Sequence, residues 1–217
     1  MPGTNRRNKE RDMPADSNFK LQNSKSRYST AVLFAGGKSS RMGEDKSLLP
    51  FGGYSTLGEY QYRRLKEIFD KVYISTKSQK FDFEAPLILD RYPQSSPLVG
   101  LISLFETISD KECFILSVDA PFVDKTVIEK LYEKSYAGNW DAIIAQSPEG
   151  TQPLCGIYRK SILPYAKIQL AEDNHRLGAL LKTANSLLVP FDEELSFENL
   201  NHPHEYREAV RRSKTQN

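Results

Sequence analysis

Residues Ala31-Val32-Leu33-Phe34-Ala35-Gly36-Gly37-Lys38-Ser39-Ser40-Arg41-Met42-Gly43-Glu44-Asp45-Lys46 decide how this chain is read. Ala31 to Phe34 is a compact apolar run with no polar face, the pattern of a parallel strand buried on both sides. It ends in Ala35-Gly36-Gly37, and open α/β sheets place ligands at the carboxyl ends of their strands. Adjacent glycines let the backbone turn with unusual φ and approach a ligand with no Cβ between. The N–H groups of Gly36 to Ser40 can then form an anion-binding hollow. Arg41 adds a planar fork and Lys46 a point charge, two complementary ways of holding phosphate oxygens. The segment reads as a loop that grasps a triphosphate. A plain glycine turn with solvated cations is the blander alternative, weakened because Arg41 and Lys46 both follow a first strand. Neither the Walker spacing Gly-x-x-x-x-Gly-Lys-Ser/Thr nor Gly-x-Gly-x-x-Gly occurs here, which argues against a P-loop NTPase and a dinucleotide-binding unit.

Outward from this loop, short apolar runs alternate with helical stripes. Val72–Ser75, Pro86–Leu89, Cys113–Val118 and Asp141–Ala145 read as further strands. Leu57, Tyr60, Leu65, Ile68 and Phe69 share one helical face, and a second helix opens after Pro97, where proline suits a first turn. A third, marked by Ile128, Leu131 and Tyr132, stops near Gly138. This alternation predicts an α/β fold around a mostly parallel sheet. Gln152–Tyr158 reads as one arm of a hairpin after Pro148-Glu149-Gly150. Helical segments at 161–169 and 177–182, a short strand at 186–189 and a closing helix at 203–214 follow. No repeat or long linker divides the chain, so residues 30–217 are expected to form a single domain.

Composition narrows the classes. With 217 residues, 39% hydrophobic and 27% charged, the chain suits an ordinary globular protein. No apolar run approaches the roughly 18 residues of a membrane span, and the N-terminus lacks the apolar core of a secretory signal. Cys113 and Cys155 match no zinc pattern, so free thiols and a cytoplasmic location are expected. Residues 1–29 carry seven basic and three acidic groups, while the remaining 188 carry 23 and 25. The basic head is too poor in apolar residues to offset its ordering entropy and reads as a disordered tail. The slightly acidic remainder argues against a nucleic-acid-binding protein.

A bound triphosphate needs its charge neutralised, and a metal would be held by a carboxylate at a strand end. Asp119, in Ser117-Val118-Asp119-Ala120-Pro121, follows the most apolar strand of the chain, where a charge is costly unless paired or metal-bound. Asp124, just before Lys125-Thr126-Val127-Ile128, is better read as a helix N-cap. Asp90 also ends a strand, with an ordinary turn aspartate as the default reading. Cys155 is expected to pack as a small apolar side chain. His175 is expected to face solvent, and Glu172-Asp173 could cap the helix at Leu177.

The stretch Leu33 to Gly52, with its Arg41-Met42-Gly43-Glu44-Asp45-Lys46-Ser47-Leu48-Leu49 core, resembles the molybdenum cofactor guanylyltransferase family. Gln152–Tyr158 and Phe197–Asn201 are similar to its later motifs, so the resemblance covers roughly Thr30 to Tyr206. It implies a three-layer α/β/α, Rossmann-like nucleotidyltransferase fold and GMP transfer from GTP to the terminal phosphate of molybdenum-molybdopterin, with Mg²⁺ as cofactor. Arg41, Lys46 and Asp119 would be catalytic, with Asp119 the metal ligand. Phe34, Ala35, Gly36, Gly37, Lys46, Ser75, Asp90 and Asp119 would contact the nucleotide, and Gln152, Asn199 and Asn201 the pterin. A molybdoenzyme or cofactor-delivery protein would receive the product. Two departures stand out: Ser96 replaces a glycine of the family's Gly-Pro-Leu-x-Gly, and Ser75 stands where some relatives carry asparagine. The alternatives are a cytidylyltransferase acting on molybdopterin or a sugar or alditol phosphate, and a non-catalytic nucleotide-binding regulator of the same fold.

Overall fold

The computed structural model describes residues 28–36, 44–192 and 195–215. Strand β1 (Tyr28–Phe34) pairs in parallel with β2 (Phe69–Thr76) on one side and β4 (Glu112–Ser117) on the other. β3 (Leu87–Leu89) adds in parallel to β2. Beyond β4 the sheet continues through β6 (Gly150–Arg159), β5 (Ala142–Ser147) and β7 (Ser186–Pro190), giving the order β3-β2-β1-β4-β6-β5-β7. Only β6 runs against its neighbours; β5 and β7 are parallel to each other.

Alternate residues of β1 enter two separate cores, which explains the absence of a polar face in its sequence. Ala31, Leu33 and Ala35 join α1 (Leu57–Ile68), α3 (Lys125–Ser135) and α6 (Pro203–Thr215), whereas Val32 and Phe34 join α2 (Pro97–Thr107), α4 (Leu163–Ala171) and α5 (Leu177–Thr183). Helices therefore cover both faces of a mostly parallel sheet, the three-layer α/β/α arrangement expected. β1 starts at Tyr28, inside the stretch assigned to the basic head, because the Tyr28 ring stacks on Tyr132 of α3 at 3.9 Å between centroids. The rest of that head lies outside the described residues.

The helix starts follow their capping residues. Thr56 Oγ1 accepts the Glu59 amide at 3.0 Å, Ser96 Oγ the Val99 amide at 3.3 Å, and Asp124 Oδ1 the Val127 amide at 3.0 Å. Asp124 is thus the helix cap that the sequence indicated. Pro97 occupies the first turn of α2. Three residues on, Gly100 lets α2 approach the sheet: a Cβ there would lie 3.0 Å from the Phe34 ring and 3.2 Å from Ser75 Oγ.

Strand β6 is irregular where it matters. Ala145 pairs with Gln152 but Ile144 with Gly156, so Pro153, Leu154 and Cys155 bulge from the ladder with β5, while Cys155 still pairs with Leu116 of β4. Proline cannot donate a ladder hydrogen bond. The Pro153 carbonyl is instead taken by the hydroxyl of fully buried Tyr158 at 2.6 Å.

Candidate active site

Because β1 to β4 are parallel, their carboxyl ends share one edge. That edge carries Asp90 after β3, Ser75 in β2, Ala35 and Gly36 after β1, and Asp119 after β4. At ~4.8 Å per strand, the line from Asp119 to Asp90 spans about 14 Å. Gly37 and Arg41 lie outside the described residues. Gly36 does not adopt a left-handed φ, contrary to the expected unusual turn there, and a Cβ on it would meet nothing within 4 Å. Ala35 and Phe34 are buried, and their backbone is used: Ala35 N–H donates to Ser75 O and Val118 N–H to Phe34 O.

Lys46 and Asp119 meet across 73 residues of chain, with Nζ 2.9 Å from Oδ2. Both side chains are mostly buried, at 13% and 20% exposure. Ser117 Oγ donates to the other carboxylate oxygen of Asp119 at 2.5 Å, and Lys46 also reaches Asn201 Oδ1 at 3.3 Å. One cation, one carboxylate and one amide therefore converge. The backbone around Asp119 is fixed from behind. Gln61, fully buried on α1, donates its amide to Ala120 O at 3.0 Å and Val118 O at 3.4 Å. Leu200 N–H donates to Asp119 O at 2.9 Å. Asn201 is itself held by Glu205, whose carboxylate accepts the backbone N–H groups of Asn201 and His202.

A second cation braces the approach to Lys46. Lys80 Nζ donates to Ala35 O at 2.8 Å and to Asp45 Oδ2 at 2.6 Å. The other oxygen of Asp45 caps the short turn Lys46–Leu48, accepting from Ser47 N and Oγ at 3.0 and 2.7 Å. Burial pushes the Asp45 carboxyl upward, but the hydrogen bonds from Lys80 and Ser47 and the Lys80 charge outweigh it and hold it below the ordinary value. The folded chain thus favours the ionised group. The resulting stabilisation is complete above the ordinary carboxylate value of about 3.9 and fades as pH falls through the lowered one. Wild type should melt above Asp45→Asn at neutral pH and lose that margin in strong acid. The margin should be no more than about 2–4 °C, because a partly exposed pair is screened. A margin that persists unchanged in strong acid would rule the ion pair out as its source.

Asp90 lies apart from this cluster. Burial raises its carboxyl above the ordinary value, with Lys77 opposing. Ser75 is 3% exposed beneath α2, so little of it reaches the surface of the edge.

Beside the Lys46–Asp119 pair opens a cleft of about 410 Å³, lined by Ser117, Asp119 and Asn201 on one wall and by the β6 bulge with Gln152 on another. Asn199 also lines it, so the three amides expected to share a half-site do face one hollow. Gln152 is partly committed, donating to Ser147 Oγ at 3.0 Å. Cys155 lines the cleft but is only 3% exposed, and burial pushes its thiol up, so it packs as an apolar group and offers no thiolate. His175 and Arg176 close the remaining side. This corrects the expectation that His175 points to solvent. Nor do Glu172 and Asp173 cap α5: Arg176 is the cap residue, without a side-chain cap bond, and its N–H goes to Asn174 Oδ1 at 3.3 Å.

Gln61, Lys80 and Arg176 were missed by the sequence reading. Gln61 left a trace, an amide midway between Leu57 and Leu65 on the apolar stripe of α1. Lys80 and Arg176 left none, being single cations in polar turns.

Among the described residues no three His, Cys, Asp or Glu side chains cluster as a metal cage. At the Lys46 pair the available donor is an oxygen one, the Asp119 carboxylate with the Ser117 hydroxyl behind it. This set fits a hard divalent ion that draws its other ligands from phosphates and water. No helix among the described residues is long and apolar enough to cross a membrane.

Residues 31–187 match the family model described as the MobA-like NTP transferase domain. The molybdenum cofactor guanylyltransferase of Campylobacter jejuni serotype O:6 is 35% identical over 81% of this chain and 92% of its own. That of Helicobacter pylori strain G27 is 37% identical over 82% and 90%. Among solved structures, molybdopterin-guanine dinucleotide biosynthesis protein A from Archaeoglobus fulgidus superposes with a TM-score of 0.75 at 21% identity, covering 86% of this chain and 99% of that one. The 2-C-methyl-D-erythritol 4-phosphate cytidylyltransferase of Thermus thermophilus gives 0.65 at 14% identity, over 86% and 99%. At those identities the two structures speak for the fold alone.

Proposed function

Because the chain belongs to the MobA-like NTP transferase family and is a nucleotidyltransferase, we propose that it transfers GMP from GTP to the terminal phosphate of molybdenum-molybdopterin, releasing pyrophosphate. The observation that carries this reading is the Lys46–Asp119–Asn201 cluster, in which Asp119 belongs to the carboxyl edge of the parallel strands and, with Asn201, lines the 410 Å³ cleft. A donor triphosphate and a second, phosphate-bearing substrate each have a place, and they meet at the cluster.

The nucleotide lies along the edge. Its phosphates meet Lys46, with Arg41, Gly36 and Gly37 supplying charge and backbone donors, while Phe34, Ala35 and Asp90 face the nucleoside end above the buried Ser75. The acceptor enters the cleft, where Gln152, Asn199 and Asn201 offer amides to a pterin and Arg176 offers a guanidinium to its phosphate. An oxygen of the acceptor's monoester attacks the α-phosphorus of GTP in line. A new O–P bond forms as the bond to the β-phosphate oxygen breaks, and that electron pair leaves on pyrophosphate. The monoester is already anionic at neutral pH, with a second pKa of about 6, so no general base is required. Lys46 neutralises charge that builds on the phosphates, and Ser117 orients the Asp119 carboxylate. Mg²⁺, held by Asp119, would neutralise the triphosphate and the departing pyrophosphate. The finished cofactor passes to a molybdoenzyme or a delivery protein, and the reaction belongs in the cytoplasm.

Pyrophosphate release with each NTP in turn, with and without molybdopterin, tests the assignment. Release is expected only with GTP and molybdopterin together. Release with CTP alone among the nucleotides overturns the guanine choice, and GTP binding with no product ever formed favours a regulator.

A further inference from the structure

The loop between α4 and α5 carries a hydrogen-bond chain that the proposed reaction does not use. His175 Nδ1 lies 3.0 Å from Ser96 Oγ, 79 residues away, and its Nε2 lies 3.0 Å from Asp173 Oδ1. Ser96 Oγ meanwhile accepts the Val99 amide as the cap of α2. The polarity of this chain closes in one neutral tautomer. Val99 N–H donates to Ser96 Oγ, the Ser96 hydroxyl donates to Nδ1, and Nε2–H donates to Asp173. Asp173 takes a left-handed φ of 56°, and its carboxylate meets the edge of the ring two residues on. Ser96 is the residue that departs from glycine in the family motif, and a glycine there could not make this contact.

Arg176 comes next in the chain. Its backbone is clamped on both sides: its N–H meets Asn174 Oδ1, and its carbonyl accepts the amide of Gln169, a buried side chain, at 3.0 Å. Its side chain lines the cleft, and among the described residues it makes no ion pair. Arg176 is exposed, so its fixed backbone sets where the side chain starts at the cleft, and a guanidinium with no carboxylate partner there is open to an anion.

We infer that His175 is a positioning residue that fastens the 172–176 loop to the first turn of α2 and so holds the Arg176 guanidinium toward the acceptor's phosphate monoester. This rests on the reading of the cleft as the acceptor site. His175→Ala should raise KM for molybdopterin about tenfold, the scale of one weakened charge-assisted hydrogen bond. KM for GTP and kcat should stay within about twofold of wild type. His175→Asn keeps an acceptor for the Ser96 hydroxyl and should recover part of the loss. Because His175 acts through Arg176, the double variant His175→Ala/Arg176→Ala should be no worse than Arg176→Ala alone. Amide hydrogen exchange at Asp173, Asn174 and Arg176 should be faster in His175→Ala without any substrate present. Additive losses in the double variant, a loss that falls on GTP, or unchanged exchange would each overturn the inference. A wild-type chain that forms no product from GTP and molybdopterin overturns the acceptor assignment instead, and the exchange measurement then decides the clasp by itself.

Discussion

Asp119→Ala is expected to lower kcat for nucleotidyl transfer by about 10³-fold, ~4 kcal/mol of transition-state stabilisation, with the fold retained. The loss is large because a single carboxylate serves the cluster: it pairs with Lys46 and is oriented by Ser117. Among the described residues no group of three His, Cys, Asp or Glu side chains forms there to take over its work. The fold survives because the turn is held by main-chain contacts that the substitution leaves in place. Gln61 grips the carbonyls on either side, and Leu200 N–H binds the carbonyl of residue 119 itself. Steady-state turnover with GTP and Mg²⁺, paired with a thermal melt, checks both halves. A variant that keeps metal-dependent turnover near the wild-type rate would remove Asp119 from the chemistry. Collapse of the melt would make it a structural residue.

Gly156→Ala should instead act on stability, by about 2–3 kcal/mol, or roughly 5–10 °C of melting temperature in a chain of this length. A Cβ at that position would sit 2.6 Å from Ile143 O, 2.6 Å from Ile144 Cδ1 and 3.1 Å from Ile144 Cα. A side-chain tip can swing aside, but a strand carbonyl and Cα cannot move without disturbing the ladder between β5 and β6. The crowding arises because the register slips between Ile144 and Ala145, drawing β6 close just after the Pro153–Cys155 bulge. Gly178→Ala is the matching control, since a Cβ there meets nothing within 4 Å and alanine favours a helix by up to about 1 kcal/mol. Equal melting temperatures for Gly156→Ala and wild type would show that the sheet relaxes around the added methyl.

The parallel half of the fold was legible because its strands are buried on both faces and announce themselves as unbroken apolar runs. Asp119 and Asp124, five residues apart, could be separated by local rules alone: one ends an apolar strand, the other opens a helix. Lys46 and Asp119 could each be singled out and expected in one hollow, and they meet because β1 and β4 lie side by side. The hairpin after Pro148-Glu149-Gly150 was readable from its turn. The insertion of its second strand, β6, between β4 and β5 was not, because strand order leaves no mark on a single strand's alternation. His175 was misread for a related reason. Its polar neighbours describe a surface loop correctly, but the contact that matters is with Ser96, on a helix far away in sequence.

The reversed course of β6 has a further meaning. Every other strand delivers its last residues to the carboxyl edge, whereas β6 delivers its first ones, so a two-residue turn and the bulge behind it form one cleft wall. That wall can be lengthened, shortened or reshaped without shifting a residue of β1 to β4. On the proposed reading, the choice of recipient is then editable at one hairpin, while the grip on the donor stays anchored in strands that the edit never touches.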